Sequence, residues 1–318
     1  MKEHPMKKII AIGLFALSLF SSSAFAETKP LKVVATFSIL GDLTKQVGGD
    51  LVDVRTLVGP DGDAHTYSPT PNDSVDLAQA GLVIENGLGI EGWFDRLVAA
   101  SGYKGQVVVA SRGVSLRPMD EENEEYEEHD EGYHHHHDHE AGDPHAWQDV
   151  SNVRIYVKNI TEALVAAMPD KAATLKERAK AYDAKLEKLD KWVRSEMAAI
   201  PSEQRKIITS HDAFGYFGKA YSVTFLSPQG ISTEAEPSAM QFAKLVKQIR
   251  SEKVRRVFFE NLASPKIATQ LASDAGASVG KPVYSDSLSK AKGPASTYID
   301  MMRYNVEQFK EAMLLNGK

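Results

Sequence analysis

"LKVVATFSILGDLTKQVGGDLVDVRTLVGP", residues 31–60, changes periodicity twice. "LKVVATF" (31–37) is a β-branched, apolar run, and "ILGDLTKQVGG" (39–49) spaces its apolar side chains helically and stops on glycine. "LVDVRTLV" (51–58) is a second β-rich run, ending in a Gly/Asp/Pro-rich loop. Strand, amphipathic helix and strand with tight joints predict a βαβ unit, hence a parallel sheet. The alternation continues: "NDSVDLAQAG" (72–81) reads as an N-capped helix and "LVIEN" (82–86) as a buried strand. "EGWFDRLVAAS" (91–101) reads as a helix and "QVVVA" (106–110) as a strand.

After residue 117 the pattern breaks. Residues 118–143 hold twelve Asp and Glu, six histidines and no Lys or Arg. From Asp170 to Met197 a Lys/Glu/Ala/Leu-rich stretch places Leu175, Tyr182, Leu186, Leu189, Trp192, Val193 and Met197 along one helical face. A helix of that length spans about 40 Å, which suits a strut between two lobes. Strand–helix alternation then resumes. "KIITS" (206–210), "SVTFL" (222–226), "VRRVFFE" (254–260) and "KPVYS" (281–285) are the expected strands. Segments 238–252, 264–276 and 295–314 are the expected helices. The expected fold is α/β: two lobes, each a mainly parallel sheet flanked by helices, joined by one long helix. The expected divisions are an N-terminal lobe over 27–166 that includes the acidic, His-rich loop 118–142, a linking helix over 167–200, and a C-terminal lobe over 201–318. No internal repeat is evident in the sequence.

The first 26 residues carry Lys2, Lys7 and Lys8, then an apolar run over 9–20, then Ala24-Phe25-Ala26. This is the pattern of a secretory signal peptide cleaved after Ala26, with an apolar core too short to span a bilayer. Export to the periplasm is the expectation. The chain has no cysteine, so stability comes from the core without disulfides, and no thiol is present to carry a lipid anchor. The formal net charge of −6 is local, because outside 118–143 and the first 26 residues there are 34 basic and 30 acidic side chains. No basic patch suggests nucleic acid, and a monomer is expected.

Of ten histidines, only His65, His145 and His211 lie outside the signal segment and the low-complexity block. Each sits in turn chemistry at a predicted strand end: "GPDGDAHTYSPTP", "GDPHAWQD" and "ITSHDAFGY". Ligands of parallel α/β sheets bind beyond the carboxyl ends of strands, and three imidazoles with one carboxylate make a closed tetrahedral set for zinc. Asp286 in "VYSDSLS" and Glu260 in "FFEN" both follow predicted strands, and either fits as the carboxylate.

The motifs "DAHTYSPTP", "DPHAWQD", "TSHDAFGYF", "STEAEPSA", "FFEN" and "YSDSLS" occur in this order across the mature chain, which thereby resembles the zinc- and manganese-binding solute-binding proteins of bacterial ABC importers. The resemblance implies two α/β lobes on a rigid backbone helix and a metal in the cleft. It implies His65, His145, His211 and Asp286 as ligands, with Glu260 behind them. Manganese members usually carry glutamate where this chain has His211, and a third imidazole favours zinc over the harder manganese ion. One departure is Ala64, where some zinc-specific relatives have glutamate, which leaves the fourth position to Asp286 or else to water. The expectation is therefore a zinc protein of the zinc branch, with manganese as the alternative. The implied partners are an ABC permease and a periplasmic metallochaperone, with no enzymatic activity.

Two motifs mimic other chemistry. Gly87-Leu88-Gly89-Ile90-Glu91-Gly92 fits a dinucleotide fingerprint but follows the third strand, and no acidic residue ends the next one. It is expected to be a tight turn. His139-Glu140-Ala141-Gly142-Asp143 lacks the second histidine and the helix of a metalloprotease, which leaves a secreted zinc hydrolase as the alternative of a different class. His129, His134, His135, His136, His137 and His139 sit in a composition that cannot bury a core. Such His-rich tracts collect metal, so a zinc-collecting arm is expected.

Overall fold

The computed structural model describes residues 29–118, 142–234, 238–262 and 265–316. The expected signal peptide and the six histidines of the arm lie outside the described residues.

The opening stretch forms β1 (Leu31–Phe37), α1 (Ser38–Gly48) and β2 (Val52–Val58). Val33 to Phe37 are buried without alternation, because both faces of a parallel sheet are covered by helices. Gly49, at φ 56°, ends α1 in a conformation that a side chain would resist. Next come α2 (Pro71–Ala78), β3 (Leu82–Glu85), α3 (Phe94–Ser101) and β4 (Val107–Val109). Thr70 and Asp73 form a capping box at α2, and Pro71 opens the helix where its missing N–H costs nothing. The first sheet has the order β2-β1-β3-β4 with every pair parallel.

A helix the sequence reading passed over follows the His-rich segment: α4 (Val150–Ala167), capped by the Asp149 side chain on Ser151 N. The long helix is α5 (Ala172–Ala198), 27 residues, with Leu175, Tyr182, Leu186, Leu189, Val193 and Met197 buried as the periodicity predicts. Trp192 is only partly covered and takes the Arg303 guanidinium over its ring at 4.8 Å.

The second lobe runs β5 (Lys206–Ile208), α6 (Gly215–Tyr221), β6 (Thr224–Leu226), α7 (Ala239–Ser251) and β7 (Arg256–Val257). It ends with α8 (Pro265–Ala275), β8 (Ser278–Val279) and α9 (Tyr298–Asn316). Its sheet, β6-β5-β7-β8, is again parallel and repeats the strand order of the first. A repeat invisible in the sequence is thus present in the topology. The strand expected over 281–285 is a correction: β8 lies earlier, and Val283 makes only an isolated bridge to Glu260. Pro282, without an N–H, cannot extend the ladder there.

The lobes are not separate globules. One apolar cluster runs from the first sheet through α1, α4 and α5 to α6, α9, Phe258 and Val283 of the second lobe. A smaller cluster, including Ile208, Leu245, Ile249, Val257 and Leu271, fills the space under α7 and α8. Among the described residues no helix is long and apolar enough to cross a membrane.

Candidate metal centre

All four expected ligands meet between the lobes. One side-chain atom from each of His65, His145, His211 and Asp286 lies within 4.8 Å of the others. His65 Nε2 and His145 Nε2 are 3.3 Å apart. Asp286 Oδ2 is 3.6 Å from His65 Nε2 and 3.1 Å from His211 Nε2, and its Oδ1 is 3.5 Å from His145 Nε2. They arrive after four different strands. His65 follows β2, His211 follows β5, and His145 and Asp286 follow the fourth strands of the two sheets.

The donors are dry and underused. His145 and Asp286 are fully buried, and His211 is 2 % exposed. Asp286 Oδ1 and Oδ2 and His211 Nε2 are buried without a hydrogen-bond partner. A buried carboxylate in that state is costly, and a divalent cation at the convergence point satisfies it. Burial works to lower the His211 imidazole, but the Asp286 and Glu260 carboxylates prevail and hold it well above the usual histidine range. Burial likewise works to raise Asp286, but the His211 and His145 charges hold it well below the usual carboxylate range. His211 Nε2 and Asp286 Oδ2, 3.1 Å apart, are thus electrostatically coupled. Protons compete with a metal ion for imidazole and carboxylate donors, so binding at such a set strengthens as pH rises.

The neighbouring turns fix the ligands. In Asp63-Ala64-His65 and Asp143-Pro144-His145 the aspartate Oδ1 accepts from the histidine backbone N–H, at 2.9 and 3.0 Å. Asp143 Oδ1 also lies 2.8 Å from His145 Nδ1, which sets the tautomer and presents Nε2 to the cluster. Trp93 Nε1 donates to the Ala64 carbonyl at 2.8 Å. Trp147 Nε1 and Gln148 Nε2 both donate to the Ser285 carbonyl at 2.8 Å, tying the His145 turn to the residue before Asp286. Glu260 is not in the four-atom cluster. Its Oε1 accepts from Ser210 N, and its Oε2, without a hydrogen bond, lies 3.5 Å from His211 Nδ1.

Across the mouth of the cleft, Asp61 N donates to the Leu288 carbonyl (3.0 Å) and Asn261 Nδ2 to Asp61 Oδ1 (3.0 Å). Thr233, in the "STEAEPSA" motif, donates its hydroxyl to Asp63 Oδ2 at 2.8 Å. Asp63, Asp143, Trp93, Trp147, Gln148 and Thr233 escaped the reading from sequence. The Asp-x-His spacing, present at His65 and His145 and at no other histidine of the chain, was an available signal. The Gly87–Gly92 motif is a turn, as expected: Gly87, Leu88 and Gly89 all have positive φ. Glu91 Oε1 closes it by accepting from Asn86 N and the Thr36 hydroxyl, both at 2.7 Å.

Two parallel-sheet lobes facing each other across a buried His3Asp cluster define a substrate-binding protein whose substrate is a metal ion. The profile described as "Zinc-uptake complex component A periplasmic" matches residues 33–312, and the chain belongs to that family of periplasmic metal-binding components of ABC importers. It is similar to the iron-binding protein YfeA of Yersinia pestis, 34% identical over 93% of this chain and 94% of YfeA. It is also similar to the manganese-binding lipoprotein MntA of Halalkalibacterium halodurans, 31% identical over 96% of this chain and 98% of MntA. Among solved structures, the periplasmic zinc binding protein TroA from Treponema pallidum superposes with a TM-score of 0.80 at 30% identity, over 89% of this chain and 99% of TroA. A Mn-bound periplasmic metal binding protein from Candidatus Liberibacter asiaticus gives 0.76 at 28%, with the same coverage.

Proposed function

We propose that the protein captures Zn(II) in the periplasm through His65, His145, His211 and Asp286 and delivers it to the permease of an ABC importer. The observation that carries this is the convergence of three imidazole nitrogens on a buried carboxylate that has no hydrogen bond of its own. Three nitrogens and one oxygen in a closed, four-donor set favour zinc. Relatives are named for iron, manganese and zinc, so family membership does not select the ion, and manganese is the second reading. The four donors leave no open coordination position, which favours carriage over hydrolysis. The histidines at 129–139 extend the proposal as a collecting arm of weaker affinity. Several relatives are named lipoproteins, but this chain has no cysteine to acylate, which supports a free periplasmic form.

The test is zinc titration of the mature chain against a competing chelator, with manganese as competitor. One tight equivalent is expected that manganese does not displace. Alanine at His65, His145, His211 or Asp286 should each cost more than the ~10–100-fold typical of losing a partner of a ligand. Deleting 119–141 should remove weaker equivalents and spare the tight one. Tight binding that survives all three histidine substitutions would place the site elsewhere, and preference for manganese would favour the second reading. Turnover of peptide or ester substrates by the zinc-loaded protein would favour the hydrolase.

A further inference from the structure

Arg117 stands where the chain leaves the first lobe for residues 119–141, and it bonds to both lobes. Its carbonyl accepts from Asp143 N at 3.0 Å, and the next pair outward, Pro118 and Gly142, forms an antiparallel bridge. Its Nη1 donates to Asp143 Oδ2 at 3.0 Å, and Asp143 Oδ1 in turn holds His145 at both Nδ1 and the backbone N–H. Across the cleft, Nη1 is 4.0 Å from Oδ2 of Asp212, the residue after His211. The Arg117 backbone N–H donates to the Tyr216 hydroxyl at 3.0 Å, and the guanidinium fills the space a β-carbon on Gly215 would take. The Arg117 side chain is 18% exposed and Asp143 fully buried, so this pair is shielded from water on one side.

From this geometry we infer that Arg117 is a positioning residue for metal retention: it clasps the His145 turn of one lobe to the His211 turn of the other, and through Asp143 it keeps Nε2 of His145 on the ion. The inference rests on the four-ligand site proposed above. The guanidinium is planar, always charged and pre-organised, so it holds this position between the two carboxylates at less entropic cost than a flexible lysine ammonium would. Asp143 fixes the proton on Nδ1, so Nε2 keeps its lone pair for the metal. A clasp between two ligand turns acts on escape more than on entry, since escape requires those turns to part.

Stopped-flow kinetics on the mature chain test this. Zinc-loaded wild type, Arg117→Ala, Arg117→Lys and Asp143→Asn are mixed with excess chelator, and association is measured in parallel. Melting of each metal-free variant controls for folding, and the cobalt-substituted spectrum reports coordination. The expected result is zinc dissociation faster by about 10–100-fold in Arg117→Ala, with association changed by less than about threefold. Arg117→Lys should recover part of the loss. Asp143→Asn should match Arg117→Ala, and the double variant should be no worse than either single one, because both break one chain of contacts. If alanine does not fold, the lysine variant carries the comparison, with faster dissociation still expected. Tight wild-type binding with dissociation unmoved in the Arg117 variants overturns the clasp and leaves the site standing. So do losses that multiply in the double variant. A wild type that binds no zinc tightly removes the proposed function, and the clasp with it.

Discussion

Glu91 is a buried carboxyl whose surroundings favour the proton. Burial pushes its carboxyl to about 7 from an ordinary value of 4.5, despite hydrogen bonds from Thr36 and Asn86. Nearby Glu85 is pushed to about 8, first by burial and then by the Glu91 charge. A raised carboxyl pKa means that the unfolded chain ionises first, so stability falls as pH rises from about 4.5 through 7 and then levels. For Glu91 the loss is on the order of 3 kcal/mol. Glu91→Gln keeps an acceptor oxygen and removes the charge. Its melting temperature should exceed wild type at pH 8 and lose that advantage at pH 5; an equal difference at both pH values would refute the assignment. At this scale the members of the cluster were legible, because His65, His145 and His211 stood out as histidines beside turns. The residues that orient them were not, because Trp93, Arg117 and Trp147 act through partners 26 to 138 positions away, a distance that local pattern does not encode.

Among the elements, α5 carries the most structural consequence. It packs on α1 and α4 of the first lobe and on α6 and α9 of the second, so its buried stripe is the spine of the shared core. Leu189→Ala removes a fully buried side chain from that stripe and should cost about 2–5 kcal/mol. Chemical denaturation should show the loss in a single shifted transition; a split transition, with one lobe untouched, would show that the spine couples nothing. The α5 stripe was readable because its polar face is long and regular. The α4 helix has the same helical spacing, with Val150, Val153, Val157, Ile160 and Leu164 buried, but its Val- and Ile-rich composition carries strand propensity as well. The strands β7 and β8 are two residues each, too short for alternation to reveal.

For the whole molecule, the continuous core argues against hinge closure. Parting the lobes would expose apolar surface running from α5 to α9. Small-angle scattering should therefore give the same radius of gyration with and without zinc for the chain lacking 119–141, whereas marked compaction on loading would reveal a hinge. The same feature has a mechanical consequence. Force applied to either lobe is transmitted through the core instead of bending it, so the lobes make poor levers for prising the ion out. Outside that core lies the rim, residues 59–63 and 229–233, half-buried or exposed and joined at the Thr233–Asp63 contact. A transporter that unloads this protein would work on local turns, at this rim and at the Arg117 clasp, as one springs a catch, while the jaws on either side stay where they are.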